Sequence, residues 1–224
     1  MTKMKILNPG MYTTIQDLGR YNYQKSGMSV AGAMDLFSLR VANILVGNND
    51  SEACFEATLM GPEIQFSGDA LIAVTGGDLE PKINNKALDM WSGVKVSGGD
   101  ILSFGTLKSG CRSYIAIAHG IDVPDVMGSK STYVKGKVGG FYGRILKADD
   151  EIKIVTAEQD NFTGIIKIPT EFIPTYKKEN ILRVVMGPQD DYFTKDGINT
   201  FSDSEYEVTK EADRMGYRLS GPKI

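Results

Sequence analysis

Imidazole and thiol groups are scarce in this chain of 224 residues, which has one histidine, His119, and two cysteines, Cys54 and Cys111. A nucleophile triad needs an imidazole beside its nucleophile, and the common zinc sites draw on several His or Cys ligands. His119 follows Tyr114–Ala118 and precedes Gly120, which places it at a strand end as an ordinary hydrogen-bonded side chain. No metal site is therefore expected. Long apolar runs are also missing. Ala70–Val74 and Ile115–Ala118 are strand-length, well short of the roughly 20 residues that cross a bilayer, so no membrane association is expected. Nor is a signal peptide, because no long apolar core follows the basic N-terminus. With only two cysteines, two reduced core thiols are expected, and the cytoplasm is the expected compartment. Positive charge is not in excess either. The net charge is −3 and the isoelectric point about 5.3, which argues against a nucleic-acid partner.

What is present is glycine, 25 residues of it, spaced between short apolar stretches. Val94–Gly105 alternates apolar and polar residues around Gly98-Gly99-Asp100 and reads as a hairpin. Pro81–Leu88 gives another, turning at Asn84-Asn85, two residues that tolerate positive φ. Further strands are expected at Glu63–Phe66, Leu71–Thr75, Arg112–Ala118, Glu151–Val155 and Leu182–Met186. Short strands separated by Gly-rich turns make a mainly β fold, a barrel or sandwich. One prominent helix is expected at about 35–46, with Asp35 as N-cap, a stripe of Leu36, Leu39, Ile44 and Leu45, and Gly47 at C′. A weaker one begins near Gln189. The polar stretch from Thr156 to Asn180, with Pro169 and Pro174, reads as a connection. The expected organisation is a β-rich lobe over residues 1–157, a connection over 158–180, and a second lobe over 181–224. Those last residues are few for an independent β domain.

Three segments carry more polar function than a scaffold requires. In the first, Asp17 and Arg20 are near enough to pair, and Arg40 and Asn43 on the helix project toward the same loop. The same residues also suit a loop that caps a barrel end. In the second, Gly128-Ser129-Lys130-Ser131-Thr132 lacks the spacing of a Walker A loop, yet its hydroxyls and backbone donors suit an anion. Gly139-Gly140 followed by Arg144 adds a guanidinium for a carboxylate or phosphate. The third joins Gln189 and Asp190 with Asp213, Arg214 and Arg218, where structural pairing competes with ligand binding. Lys3 and Lys5 flank Met4, the reverse of the Met-Lys-Met of a biotinyl hairpin, so no biotin is expected on this chain.

Taken in order, Thr14–Arg20, Gly32–Asp35, Ala42–Asn48, Glu56–Pro62, Gly120–Pro124, Gly128–Thr132, Gly139-Gly140, Gly143-Arg144, Gly187–Gln189 and Asp213–Leu219 resemble the allophanate hydrolase subunit 2 family. It includes the C-type subunits of 5-oxoprolinase, the KipA-type regulators and part of the urea carboxylase carboxyltransferase region. Asn22 stands where a glycine is usual, and His119 and Lys130 replace a glycine and an arginine. Family members continue well beyond the Gly-Tyr-Arg-Leu motif, so the second lobe is expected to be truncated. The resemblance implies a cyclophilin-like β-barrel architecture. It implies as partners a B-type or KipI-like protein and an A-type lactam-utilisation protein. It also implies ATP-dependent opening of a small lactam, 5-oxo-L-proline, with ATP and magnesium acting at the level of the complex. On that reading Asp17, Asp35 and Glu56 are the catalytic carboxylates. Substrate or anion binding falls to Arg20, Arg40, Asn43, Ser129, Lys130, Ser131, Thr132, Arg144, Gln189, Arg214 and Arg218. A KipA-type regulator that counteracts a KipI-type kinase inhibitor is the alternative, and a carboxyltransferase component of a urea-type, biotin-dependent carboxylase the third.

Overall fold

The structure is a computed structural model that describes residues 2–155, 166–177, 179–211 and 216–224. The chain divides into two units, Met1–Lys177 and Lys178–Ile224. The first part of the expected connection, 158–165, lies outside the described residues.

The first unit is built from β1 (Lys3–Asn8), β2 (Tyr12–Gln16), helix α1 (Leu36–Leu45), β3 (Cys54–Thr58), β4 (Glu63–Phe66), β5 (Ala70–Asp78), β6 (Pro81–Ile83), β7 (Lys86–Ala87), β8 (Gly93–Val96), β9 (Ile101–Phe104), β10 (Ser109–Ile117), β11 (Ile121–Asp122) and β12 (Glu151–Ile154). One sheet runs β11-β12-β1-β4-β9-β6-β7 and the other β2-β3-β10-β5-β8. All the pairings are antiparallel. The mainly β architecture is as expected, although among the described residues neither sheet closes on itself.

Alternation along the strands of the five-stranded sheet explains the layering. Successive side chains point to opposite faces. Ile15, Phe55, Ile72, Val74, Ile115 and Ile117 therefore meet Met4, Ile6, Ile64, Phe66 and Leu102 of the seven-stranded sheet in one core. Their neighbours Cys54, Leu71, Ala73, Tyr114 and Ala116 face the other way and pack with Leu39, Ala42 and Leu45 of α1. The five-stranded sheet is thus buried on both faces, with α1 as a third layer.

The helix has the expected N-cap, since Asp35 accepts the Ser38 N–H, and the positive φ of 76° at Gly47 marks its end. Its buried face differs from the expected stripe. Leu39 and Leu45 are buried with Val41 and Ala42, while Leu36 and Ile44 are exposed. The Asn84-Asn85 hairpin joins β6 to β7, both asparagines at positive φ. The turn at Gly98-Gly99 does not make a hairpin. β8 pairs with β5 and β9 with β4 and β6, so the turn carries the chain from one sheet to the other. Asn22 has the positive φ of 72° that its place in a glycine position calls for.

Ile166–Ile173 lies against this unit. Gly93 N–H donates to the Ile166 carbonyl and Ile168 N–H to that of Trp91. Both cysteines are free, but only Cys54 is buried; Cys111 is exposed, against the expected pair of core thiols.

The second unit contains α2 (Lys195–Asp203), capped by the Thr194 side chain, and the short pair β13 (Glu207–Val208) and β14 (Leu219–Ser220). The helix thus starts a few residues later than Gln189, after a single 3-10 turn at Asp190–Tyr192. The strand expected at Leu182–Met186 is not formed. The residues have the apolar character of a strand, but none of the described residues supplies a ladder to them. Among the described residues no helix is long and apolar enough to cross a membrane.

Candidate functional site

The loop leaving β2 and the segment 126–132 form one buried polar assembly. The Asp17 carboxylate accepts hydrogen bonds from Gly19 N–H at 2.8 Å, Ser129 Oγ at 2.8 Å, Lys130 N–H at 2.6 Å and the Ser131 hydroxyl. Arg20, fully buried, supplies the complementary half. Its Nε donates to the Val126 carbonyl at 2.8 Å, and its Nη2 to the Ser131 carbonyl at 3.0 Å and the Ser129 carbonyl at 3.4 Å. Asp17 and Arg20 thus hold the same loop through its donors and its acceptors, rather than each other. Gly139 closes the assembly from outside. A Cβ there, at φ 69°, would lie 2.1 Å from the Ser131 carbonyl oxygen and 2.7 Å from Arg20 Nη2.

This geometry revises the reading of Gly128–Thr132. The loop does bind an anion, and the anion is the Asp17 carboxylate. Ser129, Ser131 and Thr132 are buried, with Thr132 tied to the Ile15 carbonyl through both its N–H and its hydroxyl. The Lys130 ammonium contacts Glu52 Oε1 at 2.6 Å, and Gly128 N–H is held by Asp125. Arg144, expected as an open guanidinium, makes two parallel 2.7 Å bonds to Asp150 and stands over the Phe141 and Tyr142 rings. Arg40 is exposed and pairs with Asp50 at 3.7 Å, and no hydrogen bond to the loop is seen among the described residues. Asn43 is buried in the last turn of the helix, donating to the Glu52 carbonyl at 2.7 Å and accepting from Asn48. In the second unit Gln189 is exposed and Arg218 pairs with Glu211 at 3.6 Å, while Asp213 and Arg214 lie outside the described residues.

A second polar group lies on the helix-facing side of the five-stranded sheet. Register places Thr14 beside Glu56, Glu56 beside Tyr114, and Tyr114 beside Thr75, giving one buried row across four strands. The Tyr114 hydroxyl donates to Glu56 Oε2 at 2.8 Å and accepts the Asp35 N–H at 2.8 Å. The Met34 N–H also reaches Glu56 Oε2, at 2.9 Å. Asp35 uses its carboxylate as a cap for α1, taking Ser38 N–H and Oγ, and also accepts from the Tyr176 hydroxyl at 3.2 Å. Burial pushes the Tyr114 phenol well above its ordinary pKa, reinforced by the Glu56 charge, so it remains a donor. Tyr176 is also raised, mainly by burial. Of the three expected carboxylates, Asp35 and Glu56 therefore meet here, and Asp17 belongs to the loop assembly.

Sequence reasoning missed Tyr114, Thr75, Tyr176 and Arg112. Arg112 Nε sits 3.7 Å from Glu56 Oε1. Tyr114 and Thr75 carry the alternation of buried strands, and nothing in that pattern marks the polar ones as a row. Among the described residues no group of three or more His, Cys, Asp or Glu is placed to hold a metal ion.

The family described as carboxyltransferase domain, subdomain A and B, matches residues 26–224. The urea amidolyase of Saccharomyces cerevisiae is 38% identical over 229 residues, an alignment that covers 99% of this chain and 12% of that protein. The C-type subunit of the 5-oxoprolinase of Escherichia coli is 36% identical over 220 residues, covering 97% of this chain and 68% of the relative. The chain thus spans about an eighth of the yeast protein and about two thirds of the bacterial one. The crystal structure of the Kluyveromyces lactis urea carboxylase superposes with a TM-score of 0.85 at 34% identity, covering 98% of this chain and 20% of that one. This chain belongs to the carboxyltransferase domain, subdomain A and B, family.

Proposed function

We propose that this chain is the C-type subunit of an ATP-dependent 5-oxoprolinase, acting with A-like and B-like subunits to open 5-oxo-L-proline to L-glutamate. The observation that carries the reading is the match to the Escherichia coli 5-oxoprolinase component, which takes in 97% of this chain and 68% of the relative. The buried Glu56–Tyr114 row is consistent with it. An unstrained lactam resists hydrolysis at neutral pH, and activation of its amide oxygen lowers that barrier. A buried carboxylate can move the accompanying proton, and a hydroxyl that stays protonated fixes its orientation.

The residues expected to bind an anion are already engaged and are not open to the phosphates of ATP. The donors of the 128–132 loop are taken by Asp17 and Asp125, Arg20 is tied to carbonyls, and Lys130 and Arg144 are paired with Glu52 and Asp150. On this reading the nucleotide is held by other residues of the complex.

The test is assembly of the full-length protein with its A-like and B-like partners. ATP hydrolysis stimulated by 5-oxoproline should appear only when all three are present. An assembled complex with no such turnover would sink the proposal. A carboxyltransferase role in a urea-type carboxylase is the second reading, favoured by the 38% identity to urea amidolyase. It predicts urea-dependent carboxyl transfer when a biotin carboxylase and a biotinylated carrier are supplied, and no response to 5-oxoproline.

A further inference from the structure

Strand β10 is irregular at one place. The ladder to β5 pairs Ser109 with Asp78 and next pairs Ser113 with Gly76, so Gly110, Cys111 and Arg112 stand against Gly77 alone. Such bulges re-aim side chains and occur beside functional sites. Glycine is required at the crossing, because a Cβ on Gly110, at φ 67°, would lie 2.8 Å from Gly77 Cα and 3.2 Å from the Tyr176 ring. Next to this bulge the Arg112 side chain, opposite Thr58, lies beside Glu56 of the Glu56–Tyr114 row, and the half-buried Tyr176 packs against Gly110.

Arg112 differs from the cations of the loop assembly in being partly open to solvent while its donors lack close oxygen partners. Lys130 and Arg144 have close oxygen partners, and Arg20 has them for Nε and Nη2; its Nη1 has none among the described residues, but that side chain is sealed from solvent. Arg112 Nε is buried with no hydrogen-bond partner among the described residues. Its Nη1 donates to Cys111 Sγ, at 3.6 Å, and its approach to Glu56 is a 3.7 Å ion pair rather than a hydrogen bond. A guanidinium presents five donors in a planar fork suited to a carboxylate. The side chain is one quarter exposed, so it reaches solvent, whereas Glu56 behind it is sealed at 1%.

We propose that Arg112 is the specificity-determining residue that binds the substrate carboxylate, setting the lactam ring at the solvent edge of the Glu56–Tyr114 row. The assignment rests on the 5-oxoprolinase reading and adds to it the residue that tells 5-oxoproline from a lactam without a carboxylate.

The experiment compares 5-oxoproline with 2-pyrrolidinone, which keeps the lactam and lacks the carboxylate, in the assembled three-component complex. R112Q should raise KM for 5-oxoproline roughly 10- to 100-fold, the usual range for losing a charge-assisted bond. It should leave kcat within about threefold and narrow the preference over 2-pyrrolidinone by a similar factor. A role confined to folding would not change that preference. If R112Q does not assemble, R112K carries the same test, with a raised KM because an ammonium lacks the fork. A wild-type complex that does not turn over removes the underlying reading. An active wild-type complex whose Arg112 variants keep both KM and preference overturns this assignment alone.

Discussion

Asp17 and Ser131 hold each other twice: the Asp17 N–H donates to Ser131 Oγ at 2.9 Å, and the Ser131 hydroxyl donates back to the Asp17 carboxylate. The carboxylate also collects Ser129 Oγ and the N–H groups of Gly19 and Lys130. The residues lie more than 110 positions apart in sequence, so this contact fastens the end of β2 to a distant loop.

Replacing Asp17 by Asn therefore removes one charged acceptor oxygen and turns an amide N–H₂ toward groups that are themselves donors. Bonds to charged groups contribute about 1.5–3 kcal/mol each, and unmet buried donors add to the loss. D17N should lose at least about 3 kcal/mol in urea unfolding. Trp91 is the single tryptophan and is buried in the first unit, so its fluorescence reports this unit directly. A D17N midpoint equal to wild type would show that the loop is held by other contacts.

The bidentate Arg144–Asp150 pair gives a pH-dependent prediction. Burial alone would raise the Asp150 carboxyl, but the Arg144 guanidinium and the Lys147 N–H outweigh it and hold the pKa below the ordinary carboxylate value. A group depressed on folding contributes its stability above its unfolded pKa, about 4, and loses it as pH falls through the folded value. The stability gap between wild type and D150N should thus be largest near neutrality, at about 1–3 kcal/mol. Below about pH 4 it should shrink steadily. Urea unfolding at stepped pH checks this, and a gap that grows toward acid would contradict the assignment.

Much of the fold can be read from local chemistry, and the parts that cannot share one cause. The Asn84-Asn85 turn is legible because two residues tolerant of positive φ flank short alternating runs. The Gly98-Gly99 turn has an equally good pattern, but whether two strands pair or separate into different sheets depends on partners far along the chain. The site follows the same rule. Residue type marks out Asp17, Arg20 and the 128–132 loop, and their mutual occupation emerges only from the tertiary contact. The row of Thr14, Glu56, Tyr114 and Thr75 draws on four strands and is set by register, which single-strand periodicity does not contain.

The two thiols provide the last prediction, because the fold separates them sharply. Cys54 lies on β3 beneath α1 with no exposure, and burial drives its thiol pKa well above the ordinary value, so it carries almost no thiolate near neutrality. Cys111 is exposed on the β10 bulge. A disulfide-exchange reagent applied to the folded protein at neutral pH should therefore titrate one thiol quickly, and peptide mapping should place the label on Cys111. The second thiol should react only when denaturant opens the first unit, in step with the loss of the Trp91 signal. C111S should abolish the fast phase and C54S should leave it intact, although the serine hydroxyl should lower the unfolding midpoint by placing a polar group in an apolar layer. Rapid labelling of both thiols under native conditions would mean that α1 lifts from the sheet far more often than its buried Leu39, Ala42 and Leu45 imply.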